Sequence, residues 1–421
     1  MDARGRHRRG TRVIGACRRL VEIGLAVMIL AIPLSISLTQ IGLALALLGA
    51  VGETVLTRKV PRTPLDAPVL ALLGVTLVSA LASEAPATSV QRFAGSWTIL
   101  ACYLAVGWLR EPQRLARFLR LVLPPALILG AYGIVQHFTG SNLLRGGGEL
   151  RSLEFAGRTV YFPSGGFDHY QTYANVFFIL FCLAVGLAAG SAGRSRNARG
   201  AAALFLGTVV VFTFTRGIWL SLLAALAIFV WIFARRAAAA IAALAAAVIL
   251  VSLLIPSSLR TRALSMADTG TNIERLLLWE TTWNMVRDRP LLGVGIGNYR
   301  LAQDAYVRDE VPLLMTGTHA HNIWLQAAVE RGVLGMLALL WVAVALMIEA
   351  VRAMRLLRPA GGMPHALAAA SFAALTGFFV DGFVQNNYGD SQVALLFWLL
   401  AGIVVICGRA APRQPALAAY P

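Results

Sequence analysis

The sequence has little charge for its length, and the charge it has is unbalanced. Only 14% of its 421 residues are charged, with 20 acidic against 37 basic side chains, whereas 58% are hydrophobic. A soluble globular protein carries roughly a quarter charged residues, so a soluble domain and a disordered chain are both excluded. The composition predicts an all-α membrane protein that crosses the bilayer several times.

Cysteine is also scarce. The four cysteines lie in or beside the apolar stretches, and none falls in a predicted external loop: Cys17, Cys102, Cys182 and Cys407. This placement argues against a structural disulfide, and the spacing matches no metal-binding motif. We therefore expect no bound metal and no cofactor.

The apolar stretches predict about twelve membrane spans, since about 20 apolar residues suffice for one crossing. The longest stretch is expected to break or kink at Gly332 and Gly335. No cleavable signal peptide is expected, because the first apolar region lacks a small-residue cleavage site. The predicted spans are 20–38, 39–57, 67–83, 93–109, 118–138, 171–190, 200–215, 217–234, 237–255, 321–350, 364–384 and 391–408.

Basic residues predict the orientation. Twelve spans put both termini on one side, and most Arg and Lys fall on that side, in the arm 1–19, in short loops and in the tail 409–421. The positive-inside rule assigns this side to the cytoplasm. The predicted organisation has nine spans within 20–255, which enclose an external loop at 139–170. A large external loop (256–320) and three further spans (321–408) follow. The net charge of +17 then reflects topology, and no nucleic acid partner is expected.

One arginine stands alone in an apolar stretch. Residues 200–234 contain no charge except Arg216 and are too long for one crossing, so we expect two helices folded back at Thr215-Arg216-Gly217. The short arms are expected to draw the tip toward the lipid, where a guanidinium needs an anionic partner. The alternative is an arginine that only anchors the hairpin at the interface. We favour binding, because lysine would anchor equally well whereas arginine suits a bidentate phosphate contact.

Two external segments are large enough to hold chemistry. The segment 139–170 is rich in glycine and aromatic residues and ends in Asp168 and His169. Interfacial aromatics are usually belt residues, but Tyr and Phe beside an Asp–His pair also suit sugar stacking. In the second segment, 272–289 predicts a helix that lies on the membrane. The GxGxG at 293–297 lacks the strand–turn–helix context of a dinucleotide site, so its glycines are expected to allow tight turns near a bulky ligand.

Two histidines end the second segment, just before the next helix. Thr318 is a reasonable N-cap for that helix. If the helix starts at His319, this residue shares a face with the polar positions that follow, and His321 points to the other side. If it starts after His321, both histidines sit at the mouth of a cavity. A third possibility is that both histidines only form hydrogen bonds at the membrane interface and have no other role.

Further polar side chains are predicted at the same external side. Asn322, Gln326 and Glu330 repeat every four residues, and such a stripe within a membrane faces a cavity or protein. Asp381 and the stretch 385–390, which ends in Asp390, lie at the outer end of the last hairpin. Short polar loops are common, so this last group is a candidate only because topology places it on the same side as Arg216, His169 and His321.

These motifs resemble the O-antigen ligase and polymerase superfamily. The run His321-Asn322-x-x-Leu325-Gln326 followed by Glu330-x-Gly332-x-x-Gly335 is similar to its signature, and the 290–298 and 215–220 segments are similar to its companion motifs. The resemblance implies a glycosyltransferase of the bacterial inner membrane with cytoplasmic termini and a periplasmic active site. It also implies transfer of a glycan from undecaprenyl pyrophosphate, in the ligases to lipid A-core.

This reaction needs charge stabilisation and a base. Breaking a sugar–pyrophosphate bond leaves negative charge on the leaving group, and the most acidic external residues, Asp304, Asp309 and Glu310, look like a solvated face. External arginines are the expected substitute for a metal: Arg216, with Arg289 and Arg300. The resemblance assigns His321 as the general base, with His319 as the substitute. Inverting, metal-independent transfer follows, and the expected supporting or acceptor-side residues are Asp390, Asp168, His169, Asn322 and Gln326.

Three alternatives to a ligase remain open. A polymerase of the same superfamily would use the same donor with a lipid-linked acceptor glycan. A protein O-glycosylation transferase is disfavoured by the short C-terminal region. A lipid-linked glycan flippase or transporter would show internal repeats and charged or broken helices at the midplane, whereas the first five predicted spans carry almost no intramembrane charge.

Overall fold

The computed structural model describes residues 3–148, 150–155, 158–233, 270–306 and 319–411. The described chain is almost entirely helical, with one short antiparallel hairpin that pairs Ser152 with Tyr161. The strands are β1 (Ser152–Phe155) and β2 (Arg158–Tyr161). The helices are α1 (Ala3–Ala31), α2 (Ile36–Thr57), α3 (Asp66–Leu81), α4 (Pro86–Ala94), α5 (Leu100–Leu104), α6 (Pro112–Arg120), α7 (Leu123–Thr139), α8 (Tyr170–Ala189), α9 (Gly193–Phe212), α10 (Arg216–Phe233), α11 (Gly270–Asp288), α12 (Tyr299–Gln303), α13 (Ile323–Leu357), α14 (Gly362–Gly382) and α15 (Ser391–Ala410).

Seven of the described helical stretches are long and apolar enough to cross a membrane. This confirms an all-α polytopic membrane protein, while the number twelve stays a prediction. The expected span 237–255 lies outside the described residues. The expected span 93–109 also stays a prediction: this stretch is helical throughout, with a 3₁₀ turn (Gly95–Ile99) and a π turn (Ala105–Leu109) on either side of α5.

Helices α8 and α15 form the centre of the bundle. In each of them 83% of the apolar window is buried inside the protein. Helix α14 packs against both, and Gly186 of α8 lies so close to α14 that an added Cβ would come within 2.5 Å of the Ala370 Cβ. Small residues permit this approach, which in a bilayer is a main source of helix association.

Four helices begin at the same end of this bundle. They are α8, α10, α13 and α15, whose first residues are Tyr170, Arg216, Ile323 and Ser391. The dipole of a helix makes its N-terminus attractive to anions. Four such ends together with several basic side chains make this end of the bundle the strongest candidate for an anion-binding site.

Candidate active site

The connection between α14 and α15 joins the four helix starts. Thr172 Oγ1 of α8 donates to Asp390, and Asn322 Nδ2, just before α13, donates to the Phe383 carbonyl at 3.0 Å. Asn175 Nδ2 of α8 donates to Asp381 Oδ2 at 3.1 Å. These contacts bring sequence regions separated by more than two hundred residues to one place.

The structure decides where the histidines lie relative to α13. The helix begins at Ile323, and its N-cap is Asn322, whose Oδ1 accepts from the Trp324 and Leu325 amides at 2.9 and 3.1 Å. The expected N-cap, Thr318, is therefore wrong as a cap and lies outside the described residues. The arrangement is the one in which both His319 and His321 precede the helix.

Both histidines are held in place through the residue between them. The buried Ala320 amide donates to Gln326 Oε1 at 2.7 Å, and the Ala320 carbonyl accepts from Trp279 Nε1 of α11 at 2.9 Å. The rings of His319 and His321 meet edge to face with their centroids 4.3 Å apart. Gln326, expected as a supporting residue, thus fixes the backbone that carries the two rings.

The protonation of His321 follows from its partner. Its Nδ1 lies 2.9 Å from Gln385 Oε1, which can only accept, so Nδ1 carries the proton and Nε2 keeps the lone pair. Burial and the neighbouring His319 lower the pKa of His321 from its usual 6.5 to about 4, so the ring is neutral at neutral pH. Its backbone φ of 48° is a costly conformation for a non-glycine residue and is typical of functional sites.

A second arginine, Arg275, which was not among the predicted site residues, adds positive charge near Arg216. Arg275 of α11 is partly buried, and its charge acts on Arg216, Arg151, Asp381 and His321. Burial, followed by the nearby Arg216, lowers the pKa of the Arg275 guanidinium. Two guanidiniums held this close create a strong local attraction for a polyanion.

The buried face of α11 explains the position of Arg275. Leu278, Thr282 and Met285 of α11 are buried, and Arg275 falls on the same helical face, three residues before Leu278. A basic residue in register with the buried face of a helix points at protein or ligand. This face packs on Ala328 and Val329 of α13, which carries Arg275 toward the histidines.

Arg216 begins α10, as the hairpin prediction required. The connecting tip at Thr213, Phe214 and Thr215 is buried by protein, with the Phe214 ring 4.6 Å from the His137 ring, so the expectation of a tip close to lipid is wrong. Next to Arg216, an added Cβ on Gly217 would come within 2.3 Å of Asp381 Oδ1. Only glycine allows α10 to approach this carboxylate so closely.

Asp381 is the buried acid of the site. Its Oδ2 accepts from Asn175 and from Asn387, at 3.1 and 3.2 Å, and Oδ1 has no hydrogen-bond partner among the described residues. Its charge also acts on Arg275. A carboxylate in this position balances part of the arginine charge and fixes the α14 end against α8 and α10.

The first external loop supplies an aromatic wall. The Arg151 guanidinium lies 5.7 Å from the Phe162 ring and 5.4 Å from the Tyr170 ring. His169 is the N-cap of α8, with Nδ1 accepting from the Gln171 amide at 3.3 Å, and the exposed Asp168 pairs with Arg145. Phe162 is buried and Tyr170 is partly exposed, so the loop presents the Tyr170 ring and hydrogen-bonding groups beside the arginines, a surface that suits a sugar.

Three other predicted residues take different places. Both oxygens of Asp390 accept hydrogen bonds, Oδ1 from the Gln392 and Val393 amides and Oδ2 from Thr172, so it caps α15 and ties it to α8. Arg289 forms an ion pair with Glu84, roughly 21 Å along α11 from Arg275 at 1.5 Å per residue. Arg300 is exposed on α12.

The glycine-rich segment 293–297 supports a break in α13. At Gly332 the helix has φ 69° and ψ −179°, which confirms the predicted kink. The freed carbonyls of Val329 and Glu330 accept from the Val294 and Gly295 amides at 2.8 and 2.9 Å. Glu330 Oε1 also accepts from the Gly297 amide at 2.9 Å. The glycines thus allow close packing on protein, where a ligand contact was expected.

These observations define a polytopic membrane protein with a neutral histidine beside a group of arginines at one end of its bundle. Among the described residues no group of three or more His, Cys, Asp or Glu side chains is placed to hold a metal ion. Residues 201–340 match the family model described as O-Antigen ligase. This match agrees with the resemblance of the motifs to the O-antigen ligase and polymerase superfamily. No curated protein matches the chain.

The matched region and the site overlap only in part. About a third of the chain is matched, and this third includes Arg216, Arg275, His319 and His321. Asp381 and the α14–α15 connection lie beyond it. The match and the membrane helices together support a transmembrane glycosyltransferase of lipopolysaccharide assembly.

Proposed function

We propose that the protein is an O-antigen ligase, which transfers a polysaccharide from undecaprenyl pyrophosphate to lipid A-core at the periplasmic face of the inner membrane. The observation that carries the proposal is the pairing of His321 with Gln385 at 2.9 Å, within reach of the charge of Arg275. It supplies a base with a defined tautomer beside a cationic site for a pyrophosphate.

In the proposed reaction the acceptor hydroxyl of the core sugar attacks the anomeric carbon of the donor glycan. The new bond joins the acceptor oxygen to that carbon, the bond to the pyrophosphate oxygen breaks, and configuration inverts. The hydroxyl proton passes to Nε2 of His321. The electron pair of the broken bond leaves with undecaprenyl pyrophosphate.

Arg216 and Arg275 are proposed to bind the pyrophosphate and to stabilise the charge that grows on it. The N-terminus of α10 adds to this potential. A bound pyrophosphate would also raise the pKa of His321 from about 4, because a nearby negative charge favours the imidazolium. The base would thus gain strength only when the donor is in place.

The acceptor side is proposed to lie along the Tyr170 ring, which packs on the buried Phe162 ring, with Asp168 and His169 at its edge. The exposed part of the Tyr170 ring would stack on a sugar ring of the core. His319, with Nδ1 buried and unpartnered within the described residues, is proposed to orient His321 through the ring contact. Arg289 and Arg300 would contact only the outer part of a long glycan.

The test is a reconstitution with full-length protein, a lipid-linked polysaccharide donor and rough lipopolysaccharide as acceptor. We expect ligated product with wild type, and losses of at least about 100-fold for His321→Ala and Arg216→Ala, in line with removal of a base or a charge-stabilising group. Arg287→Ala, an exposed arginine of α11 with no proposed role, serves as the control with the same charge change. Product chains that grow on the lipid carrier, with no transfer to core, would show a polymerase and overturn the ligase assignment.

The same assay tests the role of metal. EDTA is expected to leave the rate unchanged, because arginines supply the positive charge. Loss of activity with EDTA and recovery with Mg²⁺ would refute the proposed use of Arg216 and Arg275. Movement of the donor across the membrane without turnover would instead indicate a flippase.

A further inference from the structure

A cavity of about 460 Å³ lies at the other end of the bundle. Its walls come from the end of α2 and the following loop, the π turn before Arg110, one turn of α1 and the last turn of α15. The described residues that line it are Arg18, Glu53, Thr57, Lys59, Val60, Pro61, Arg62, Val106, Gly107, Trp108, Arg110 and Arg409.

The cavity is separate from the candidate active site. Gln40 and Ser391, whose side chains meet at 3.5 Å, mark the active-site ends of α2 and α15. Arg409 lies eighteen residues further along α15, a distance of about 27 Å at 1.5 Å per residue. This is close to the thickness of the hydrocarbon core, so the cavity faces the opposite membrane surface, which the basic loops assign to the cytoplasm.

The charge of the cavity is strongly positive. Five of its lining residues are basic, and Glu53 is the one acid among the described residues of the lining. Both Glu53 oxygens are already occupied, Oε1 by Arg18 Nε at 2.9 Å and Oε2 by Trp108 Nε1 at 2.7 Å. The remaining cations, Lys59, Arg62, Arg110 and Arg409, form no ion pair with any described residue.

The backbone around the cavity is held in unusual conformations. Among the described residues, four non-glycine residues have positive φ: Phe214 and His321 at the candidate active site, and Arg58 and Arg110 at this cavity. Arg110 also ends the π turn Ala105–Leu109. Positive φ and π turns are both enriched at functional sites, and here they aim the segments that carry Lys59 and Arg110.

We propose that this cavity binds the phosphodiester headgroup of an anionic membrane lipid. The guanidinium and ammonium groups suit phosphate oxygens, and a basic pocket between membrane helices on the cytoplasmic side is a typical site for such a headgroup. Trp108, Val60 and Val106 add an apolar wall beside the charges, which suits the start of an acyl chain. Inorganic phosphate shares the headgroup chemistry but would gain nothing from that wall.

The test is native mass spectrometry of the full chain with dioctanoyl phosphatidylglycerol, dioctanoyl phosphatidylcholine or inorganic phosphate. The variant Lys59→Gln/Arg62→Gln removes two charges and keeps the Arg62 carbonyl that accepts from Arg409. The matched control, Arg194→Gln/Arg196→Gln, removes two exposed charges at the start of α9, at the same end of the bundle but outside the cavity.

We expect one phosphatidylglycerol to bind to wild type and to the control. Affinity of the cavity variant should fall on the order of 30-fold, since each basic residue near an anionic headgroup contributes about fivefold. Binding by the cavity variant equal to that of wild type would overturn the proposal. So would equal binding of phosphatidylcholine, and competition by inorganic phosphate at equal concentration would overturn the lipid assignment.

A measurement on wild type alone covers the case in which the cavity variant fails to fold. Raising the NaCl concentration about tenfold should weaken phosphatidylglycerol binding by an order of magnitude or more, because the contact is ionic and partly exposed. Binding that does not depend on salt would place the lipid on the apolar surface and overturn the proposal.

Discussion

The substitution Gln385→Ala tests the proposed tautomer of His321. It removes the acceptor that lies 2.9 Å from Nδ1 and leaves the ring without a fixed orientation. When Nε2 takes the acceptor proton, the ring becomes an imidazolium and the Nδ1–H···Oε1 contact becomes a charge-assisted hydrogen bond. Such a bond contributes about 1.5–3 kcal/mol, so its loss should reduce kcat by about 10- to 150-fold. The KM for the donor should change little, because Gln385 has no proposed contact with the pyrophosphate.

The assay is the initial rate of core ligation at saturating donor, measured for purified variants of equal melting temperature. Asn386→Ala is the control, since it removes a neighbouring amide in the same connection and should leave kcat within about twofold. A kcat for Gln385→Ala that equals that of wild type would refute the assignment of Nε2 as the base. An equal loss of kcat in both variants would show that kcat depends on the conformation of the α14–α15 connection and not on the hydrogen bond between Gln385 and His321.

The companion variant Gln385→Glu should raise the pKa of His321. A carboxylate that accepts from Nδ1–H stabilises the imidazolium, so the pKa of His321 should rise from about 4 toward its usual value. The acid limb of kcat/KM should then move to higher pH. A limb that stays in place would indicate that the introduced carboxylate does not face the ring.

Three further outcomes are expected. In wild type, kcat/KM should stay constant from neutral pH down to about 5 and fall as pH drops through about 4, because protonation removes the lone pair of His321. A fall of kcat/KM centred near pH 6.5 would contradict the burial of His321. Arg275→Ala should raise the donor KM and lower kcat/KM by about 10- to 100-fold, whereas Arg287→Ala on the exposed side of α11 should match wild type. Gly332→Ala should lower stability by roughly 3 kcal/mol or more, because φ is 69° and the new Cβ would come within 2.0 Å of a carbonyl oxygen. Gly361→Ala, with φ 60° and open space around it, should cost only about 1 kcal/mol, and a similar melting temperature for both variants would exclude the packing argument.

Most helices of this protein were predictable because the bilayer imposes a simple rule on them. Apolar stretches had to be helical, and their observed bounds differ from the predicted ones by a few residues in most cases. Two stretches differ more. The predicted span 20–38 falls on the second half of α1 and the first residues of α2, and 93–109 switches between 3₁₀, α and π turns, which short-range hydropathy could not show. All three of these turns pack against α15.

The candidate site was predictable in part. Arg216 and His321 stood out because a charge or a histidine next to an apolar helix is rare enough to need a reason. Arg275 was overlooked because it has many charged neighbours along α11, and only the buried face of that helix distinguishes it. Gln385 could not be assigned, since sixty-four residues separate it from His321 and nothing local links the two.

The amino-acid sequence by itself determined the membrane setting, the hairpin at Arg216 and the break at Gly332, since all three depend on local composition and spacing. The choice of His321 as the proposed base rests on the resemblance of its motif to the superfamily. Only the tertiary structure decided which groups meet. It placed Arg275 beside Arg216, gave His321 its tautomer through Gln385, assigned the 293–297 glycines to the kink in α13, and formed a cationic cavity at the far end of α15. These outcomes arise from contacts between helices distant in the chain, where burial and neighbouring charges set the properties of each side chain.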